Sequence, residues 1–567
     1  MHFLIIGGSD AGIAAGLRAH ELDPECEITL VLADEYPNYS ICGLPFFLSG
    51  ETPDWRSLAH RTEFPGIRIL PNHTAEKIDP VRKAVNVQTK EGRQLELLYD
   101  KLLIGTGARP VQPPIEGFGL PGVFPLHTME DSFVVHRFLE ERQPKSAVIV
   151  GAGYIGLEMA DALTHRGIQV TIASRTEAIL ATVDTAFGKM VEAELQKHGV
   201  EVWNGVQINS IRKNDQSLDV TGTKGFSSNA DLVLVAVGVR PNSELGGSAG
   251  VSTGAKGALS VNRKMETNVA DIYAAGDCVE TWHRLLNRYT YMPLGTTAHK
   301  QGRVSAENVL GGHREFAGSL GTQVVQLFDV IAARTGLRDD EASSAGFDPL
   351  TTQTTVWDHK AYYPGAHELH MRITGDQGTG RLLGAQLLGH KGSEVSKRAD
   401  IFAAALFHGM SVEGLSDLDL SYTPPLSSPW EIPYRWQLRR GLGLSPCRRL
   451  AKDQLSTILV SHAFHFLCKW MEVTFQERIG PSDGHEPTAR ADFQSQFFPE
   501  SLALLQPFEE LLQNTHHNRV HTDAFFFGPC LKRQSRLGAN MEELRIGERQ
   551  ARLAGLRDFH VILIDMC

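Results

Sequence analysis

A second cysteine is missing where a dithiol would need one. The stretch Tyr39-Ser40-Ile41-Cys42-Gly43-Leu44-Pro45-Phe46-Phe47 holds a lone cysteine, and positions 38 to 47 offer no other sulfur. An electron-transfer dithiol of the C-x4-C or C-x-x-C kind is thereby excluded. A redox role for Cys42 needs a partner from elsewhere: a small thiol, a sulfenic oxygen or a persulfide sulfur. The seven cysteines of the 567-residue chain (26, 42, 278, 447, 468, 530 and 567) are odd in number, scattered and without C-x-x-C spacing. That excludes a disulfide framework and fits a reducing cytoplasm. An excess of positive charge is also absent. The formal net charge of -11 gives no general attraction to nucleic acid or an anionic membrane, although a basic patch can exist locally. No apolar run approaches ~20 residues, so no transmembrane helix is expected, and no basic segment precedes the first strand, so no signal peptide is expected.

What is present is ordinary in amount and specific in order. With 42% hydrophobic residues, a chain of this length can bury large cores and should hold about three or four domains of ~150 residues each. It opens as strand, glycine turn, helix, strand: His2 to Ile6, then Gly7-Gly8-Ser9-Asp10-Ala11-Gly12, then a helix through Ala15, Leu17 and Leu22, then Ile28 to Leu32. A dinucleotide-binding βαβ unit needs glycine at the tight turn, a small residue where backbone approaches a pyrophosphate, and glycine where helix meets strand. Gly7, Ser9 and Gly12 fill those places. The acidic residue that usually ends the second strand and holds a ribose is missing, because position 32 is Leu; Asp34 or Glu35 can take over.

The signature then recurs more cleanly. Ser146 to Val150 is a strand, Gly151-Ala152-Gly153-Tyr154-Ile155-Gly156 is a full G-x-G-x-x-G, Leu157-Glu158-Met159-Ala160 continues as a helix, and Val170 to Ala173 is the next strand. Two dinucleotide sites in one chain imply electron transfer between two nucleotides. An acidic residue is again lacking at the end of the second strand, where Ser174 and Arg175 stand instead. A carboxylate there would repel a 2′-phosphate, whereas Ser and Arg accommodate it, which favours NADPH or the use of both nicotinamides over strict NADH use.

Two further landmarks are Leu102-Leu103-Ile104-Gly105-Thr106-Gly107-Ala108-Arg109-Pro110 and Asp271-Ile272-Tyr273-Ala274-Ala275-Gly276-Asp277, both strands running into small-residue turns. With Cys42 and the two glycine turns, the chain resembles the single-cysteine branch of the flavin-dependent pyridine nucleotide-disulfide oxidoreductases. That group contains coenzyme A-disulfide reductases, NADH oxidases, NADH peroxidases and persulfide reductases. The resemblance runs from about residue 2 to 440. It implies an α/β protein with two Rossmann-like domains, one for FAD and one for NAD(P)H, plus an α+β dimerisation domain and an unassigned C-terminal extension. The boundaries expected are 1–112 and 245–315 for the FAD domain, 113–244 for the NAD(P)H domain inserted between them, 316–440 for dimerisation and 441–567 for the extension.

The resemblance also assigns expectations to residues. Asp277 would bind the flavin ribityl chain, Thr106 and Gly107 would lie near FAD, and Cys42 would sit against the isoalloxazine ring. The segment Pro293 to Arg303 looks like the flavin-side helix of the family, and Gly321 to Phe328 looks like the first strand of its dimerisation domain. Tyr362-Tyr363-Pro364-Gly365 and the segment around Tyr422 resemble the tyrosine-bearing segments brought to the cysteine from the partner chain of a homodimer; which of Tyr362 and Tyr363 faces the site stays open. Arg18, on the first helix, occupies a region where coenzyme A-disulfide reductases place basic residues against the substrate's phosphates. His20 and Ser40 are lesser substrate-binding candidates. The first glycine turn lacks the histidine that oxidases and peroxidases carry there, reading Ser9-Asp10-Ala11, which shifts weight to a thiol-type substrate such as a small disulfide or persulfide.

The chemistry expected is a relay from NAD(P)H through FAD to Cys42 and on to coenzyme A disulfide or a related acceptor. An unperturbed thiol of pKa ~8.5 is only about 3% ionised at pH 7, so flavin contact and the amino end of the following helix are expected to favour the thiolate. The alternatives are an NADH oxidase reducing dioxygen and a slowly turning redox sensor that uses the extension to contact a partner. The extension lacks the Cys-x-x-Gly-x-Arg loop of a rhodanese domain. His462, His465 and Cys468 share three-residue spacing on an expected helix, but no complementary ligand pair accompanies them, so no metal is expected.

Overall fold

The computed structural model describes residues 1–428; the expectations for residues 441–567, including His462, His465 and Cys468, lie outside the described residues. Strand His2–Ile6 is the centre of a five-stranded parallel sheet ordered Ile67–Leu70, Glu27–Val31, His2–Ile6, Lys101–Ile104, Ile272–Ala274. Its inner strands are unbroken apolar runs with Phe3, Leu4, Ile5, Leu102, Leu103 and Ile104 fully buried, the pattern of a parallel sheet covered on both faces. Helix Asp10–Leu22 covers one face and packs along helix Gly295–Val309. The last strand and this second helix come from far along the chain.

Between them lies a second parallel sheet of the same design, ordered Glu201–Asn204, Gln169–Ser174, Ser146–Val150, Leu232–Val235, Val123–Pro125. Each sheet is accompanied by a three-stranded antiparallel meander, His73–Asp79 to Gln94–Leu98 in the first and Ile208–Asn214 to Ser227–Ala230 in the second. The chain passes between the two units at an antiparallel ribbon pairing Ala108–Pro110 with Val239–Pro241. Thr106 Oγ1 donates to the Asn242 carbonyl at 2.6 Å and Asn242 Nδ2 returns a bond to the Thr106 carbonyl at 3.0 Å, while Arg109 pairs with Glu244.

The third unit is a five-stranded antiparallel sheet ordered Gln323–Leu327, Val330–Gly336, Leu382–His390, Glu368–Asp376, Pro349–Trp357. Helix Val395–Phe407 buries Ala399, Phe402 and Leu406 against it, in a core shared with Leu369, Met371, Leu383 and Leu387. Polar contacts tie this sheet to the second unit: Asp184 N donates to Gln386 Oε1 at 2.6 Å, Arg334 Nη1 to the Thr182 carbonyl at 2.7 Å and Phe328 N to Asp161 Oδ2 at 2.7 Å. Among the described residues no helix is long and apolar enough to cross a membrane.

Candidate functional site

The two glycine turns are the same structure built twice. Gly7 and Gly151 take φ of +107° and +112°, which only glycine adopts at no cost. A Cβ on Gly12 would run into the Gly7 carbonyl oxygen, and one on Gly156 into the Gly151 carbonyl oxygen, so the following helix can approach the strand only without a side chain there. The middle positions differ in kind. Ser9 (φ -94°, ψ -159°) and Gly153 (φ -84°, ψ -173°) are both extended, a conformation any residue adopts, which is why serine stands in the first turn without strain. Helices Asp10–Leu22 and Tyr154–His165 both begin without a side-chain cap, leaving first-turn N–H groups for an anion.

At the ends of the second strands the two units diverge. Asp34 is part-buried, accepts the Tyr36 backbone N–H at 2.8 Å and has its carboxyl raised, chiefly by burial. Its neighbour Glu35 is engaged by Tyr36 Oη at 3.0 Å and Asn72 Nδ2 at 3.4 Å. In the second unit Ser174 is buried against Thr176 (Oγ to Oγ1, 2.9 Å), and Arg175 is exposed with no ion pair among the described residues. Glu177, the nearest following acid in sequence, is taken up by Lys224 at 3.1 Å.

Cys42 sits in a short turn, Ile41–Gly43, pinned by Ser40 N to the Leu58 carbonyl at 2.8 Å and Gly43 N to the Ser40 carbonyl at 3.1 Å. Edge-on aromatic contacts fix the loop before it: Tyr36 meets Tyr39, Trp55 and Phe133 at ring separations of 5.7, 5.8 and 5.5 Å. Phe133 belongs to helix Met129–Arg142, and helix Leu44–Ser49 packs on Tyr154–His165, so Cys42 stands where the first unit meets the second. It is the one exposed cysteine among the described residues; Cys26 and Cys278 are buried.

The protein groups around Cys42, taken without flavin, disfavour its thiolate. Although the residue is open to solvent, crowding at the sulfur raises the thiol above its usual range, and Glu158, Asp10 and Asp277 raise it further. The helix after it spans only six residues, Leu44–Ser49. Those carboxylates are themselves strained by burial. Glu158 is pushed up to about 7 by burial and then by Asp161, and Asp277 to about 6 by burial and then by Asp10. Neither receives a hydrogen bond from the described residues. Such a carboxylate, half sequestered and without donors, is costly unless a bound group supplies them. Thr106 is held by Asn242, and beside it Gly107 (φ +67°) faces open space.

Asp10 also feels His60 and His299, and His299 belongs to a cleft of about 170 Å³ lined by Arg18, Glu21, Asn38, Arg61 and Arg303. Arg18 is committed to Glu21 and Glu307, each at 2.9 Å. Arg61 and Arg303 are exposed and make no ion pair among the described residues. Sequence reasoning found Arg18 and missed Arg61, His299 and Arg303 as a set, because the packing of Gly295–Val309 on Asp10–Leu22 brings them together. His20 does not line this cleft: its ring lies against Gly66 and its buried Nδ1 has no partner. Tyr362, Tyr363 and Tyr422 are all exposed on the antiparallel unit, gathered by a bond from Lys360 N to the Pro424 carbonyl at 3.1 Å. One three-residue His and carboxylate group, Glu194, His198 and Asp329, is already paired internally: His198 Nε2 lies 3.0 Å from Glu194 and Lys391 Nζ 2.7 Å from Asp329.

Comparison with known proteins agrees with this layout. The family model described as pyridine nucleotide-disulphide oxidoreductase matches residues 1–302, and that of its dimerisation domain matches residues 322–432. An NAD(P)H sulfur oxidoreductase (CoA-dependent) of Pyrococcus furiosus is 33% identical over 438 residues, covering 76% of this chain and 96% of the relative. A coenzyme A disulfide reductase of Staphylococcus haemolyticus is 30% identical over 440 residues, 76% of this chain and 97% of the relative. The structure of an NAD-dependent persulfide reductase from A. fulgidus superposes with a TM-score of 0.74 at 34% identity, over 78% of this chain and 83% of that one. With two glycine turns of one geometry, a lone exposed cysteine at their junction and both family models matched in order, the chain belongs to the pyridine nucleotide-disulphide oxidoreductases.

Proposed function

We propose that the protein is an NAD(P)H-dependent flavoprotein that reduces coenzyme A disulfide, or a closely related small disulfide or persulfide, through Cys42. The observation that carries this reading is the exposed Cys42, linked through Asp10 to a cleft bearing Arg61 and Arg303, which make no ion pair among the described residues. A disulfide carrying phosphates fits that cleft, and a lone sulfur must use the substrate's own sulfur as its partner.

The chain's residues fit both nucleotides. Gly7, Ser9 and Gly12 with the uncapped helix Asp10–Leu22 would take the FAD pyrophosphate and Asp34 its ribose, with Thr106 and Gly107 beside the cofactor. Asp277, buried without a donor, would receive hydroxyls of the ribityl chain. Gly151, Gly153 and Gly156 would take the NAD(P)H pyrophosphate, Ser174 and Arg175 a 2′-phosphate, and Glu158 would serve the nicotinamide side. In these terms residues 1–112 and 245–315 form the FAD domain, 113–244 the NAD(P)H domain and 316–440 the dimerisation domain. Bound FAD supplies the two-electron relay between reduced nicotinamide and sulfur.

Cys42 attacks as thiolate: its sulfur bonds to one sulfur of the substrate, the substrate S–S bond breaks and one thiolate leaves. Reduction of the resulting mixed disulfide returns Cys42 and the second thiol. The whole conversion consumes one disulfide, one NAD(P)H and one proton and yields two thiols. Arg18, Arg61, His299 and Arg303 orient the phosphate-bearing arm, with Ser40 beside the cysteine. Tyr422 and one of Tyr362 and Tyr363, exposed on the dimerisation unit, close over the Cys42 site of a second copy in a homodimer. The scattered cysteines support a reducing cytoplasm as the setting of this chemistry.

The test is anaerobic NADPH and NADH consumption by the flavin-loaded protein with coenzyme A disulfide, beside oxygen as sole acceptor. Fast disulfide turnover that disappears in Cys42→Ser is expected. Turnover with oxygen alone, or undiminished disulfide turnover in Cys42→Ser, refutes the assignment and moves the protein to the oxidase reading; slow turnover with every acceptor would favour a redox sensor.

A further inference from the structure

The three exposed tyrosines stand on one surface, and a buried carboxylate holds that surface together. Asp358 directly follows strand Pro349–Trp357, and its side chain is only 3% exposed although residues 361–365 beyond it are open to solvent. Its Oδ1 accepts the His367 backbone N–H at 3.0 Å and lies 2.8 Å from His359 Nδ1, while Oδ2 accepts the Ser393 hydroxyl at 2.6 Å. Its backbone N–H donates to the His367 carbonyl at 2.9 Å, and its own carbonyl accepts Arg398 Nη2 at 2.6 Å. One residue therefore pins both ends of the 358–367 loop to each other and to helix Val395–Phe407.

The pinned elements carry the tyrosines. The His359 ring stands edge-on to Tyr363 at 5.8 Å and 74°. Lys360 reaches the second segment through its N–H to the Pro424 carbonyl at 3.1 Å and its Nζ 5.5 Å from the Tyr422 ring, and Arg398 Nη2 reaches the Leu426 carbonyl at 3.4 Å. Tyr362, Tyr363 and Tyr422 are nonetheless 75%, 43% and 48% exposed, so nothing among the described residues covers them. Strands Pro349–Trp357 and Glu368–Asp376 are neighbours that a two-residue turn could join. A longer loop with aromatic tips, locked at its base by a buried charge, is instead built to present side chains. Burial opposes the Asp358 charge, but the Ser393 and His367 bonds outweigh it and hold the carboxyl below its usual range.

We propose that Asp358 is the positioning residue of this platform, fixing the 358–367 loop and the 422–426 segment so that the tyrosines are presented to disulfide substrate at the Cys42 site of a second copy. The proposal rests on the function proposed above. Removing the charge with Asp358→Asn should raise the disulfide KM about tenfold, and Ser393→Ala, which deletes one donor and keeps the charge, about threefold.

A complementation experiment separates positioning from general damage. Asp358→Asn and Cys42→Ser chains, co-expressed under different tags and purified through both, form a heterodimer with one intact cysteine facing one intact platform. At disulfide well below the wild-type KM, about half of wild-type turnover is expected, against about a tenth in the Asp358→Asn homodimer and none in the Cys42→Ser homodimer. A heterodimer no more active than its parents overturns the proposal, as does a wild-type KM in both Asp358→Asn and Ser393→Ala. Should Asp358→Asn not fold, Ser393→Ala takes its place in the heterodimer and its KM decides. Wild-type turnover in Tyr362→Phe, Tyr363→Phe and Tyr422→Phe would refute the tyrosine reading itself. Loss in those variants with wild-type behaviour in Asp358→Asn refutes only the role of Asp358.

Discussion

Glu158 offers the sharpest test of the electrostatics around Cys42. Its carboxyl is raised from 4.5 to about 7, first by burial and then by Asp161. At ~1.4 kcal/mol per pH unit, the charged form is disfavoured in the native protein by about 3 kcal/mol, a ceiling because the side chain is only part-buried. The sign follows from proton counting. Between pH 4.5 and about 7 the native state holds a proton on Glu158 that the unfolded chain has lost, so stability from this group declines as pH rises through that window. Glu158→Gln removes the ionisation. It should change the flavin-free protein little at pH 4.5 and stabilise it increasingly up to pH 8, raising the melting temperature by several degrees there. Thermal scans of both proteins at pH 5, 6, 7 and 8, at one scan rate, read this directly. Because Glu158 also raises the Cys42 thiol, the variant's Cys42 should be alkylated faster by iodoacetamide above pH 7, followed by mass spectrometry. A melting difference that is the same at pH 5 and pH 8, with unchanged alkylation, would refute the reasoning.

Other consequences can be checked separately. Arg61→Ala and Arg303→Ala should each raise the KM for coenzyme A disulfide about tenfold at low salt, less at high salt, and leave cystine turnover unaffected; an equal effect on both substrates would deny the cleft a phosphate-binding role. Arg175→Glu should lower kcat/KM for NADPH by more than about tenfold with little loss for NADH, measured by initial rates with each nucleotide. Gly12→Ala forces a methyl group onto the Gly7 carbonyl and should abolish flavin co-purification, read from absorbance near 450 nm, whereas Ser9→Gly should retain flavin.

What the sequence disclosed was what a few adjacent residues can encode. Gly7 and Gly151 need left-handed φ and Gly12 and Gly156 need to lack a side chain, so the turns announce themselves in one short window each. Ser174 and Arg175 are equally local. The strand boundaries also came close: Ile28 to Leu32 was expected where Glu27–Val31 forms, because continuous apolar runs mark buried parallel strands. Arg61, His299 and Arg303 gave no such signal. They reach one cleft because helix Gly295–Val309 packs on Asp10–Leu22 across nearly three hundred residues of chain. Helical spacing put His20 and Arg18 on the same turn of a helix but could not show that His20 turns toward Gly66.

The acidic surroundings of Cys42 were not legible in the sequence, and the reason bears on how the site works. Glu158 comes from the second unit, Asp10 from the first helix and Asp277 from the turn after the last strand of the first sheet, so no single segment displays the acidic collar. Two of these acids ionise only near pH 6 to 7 themselves. Four groups competing for negative charge in one crowded space lose protons as a set, and the apparent ionisations belong to the set rather than to Cys42. Burial and repulsion both favour holding protons on the carboxyls when the thiolate forms. A donor-rich group seated on Asp277 would lower that carboxyl and sharpen the competition at Cys42, whereas one that keeps Glu158 protonated would relax it. Under the proposed function, with Asp277 serving FAD and Glu158 the nicotinamide, the thiol's reactivity would be coupled to occupancy of both nucleotide sites.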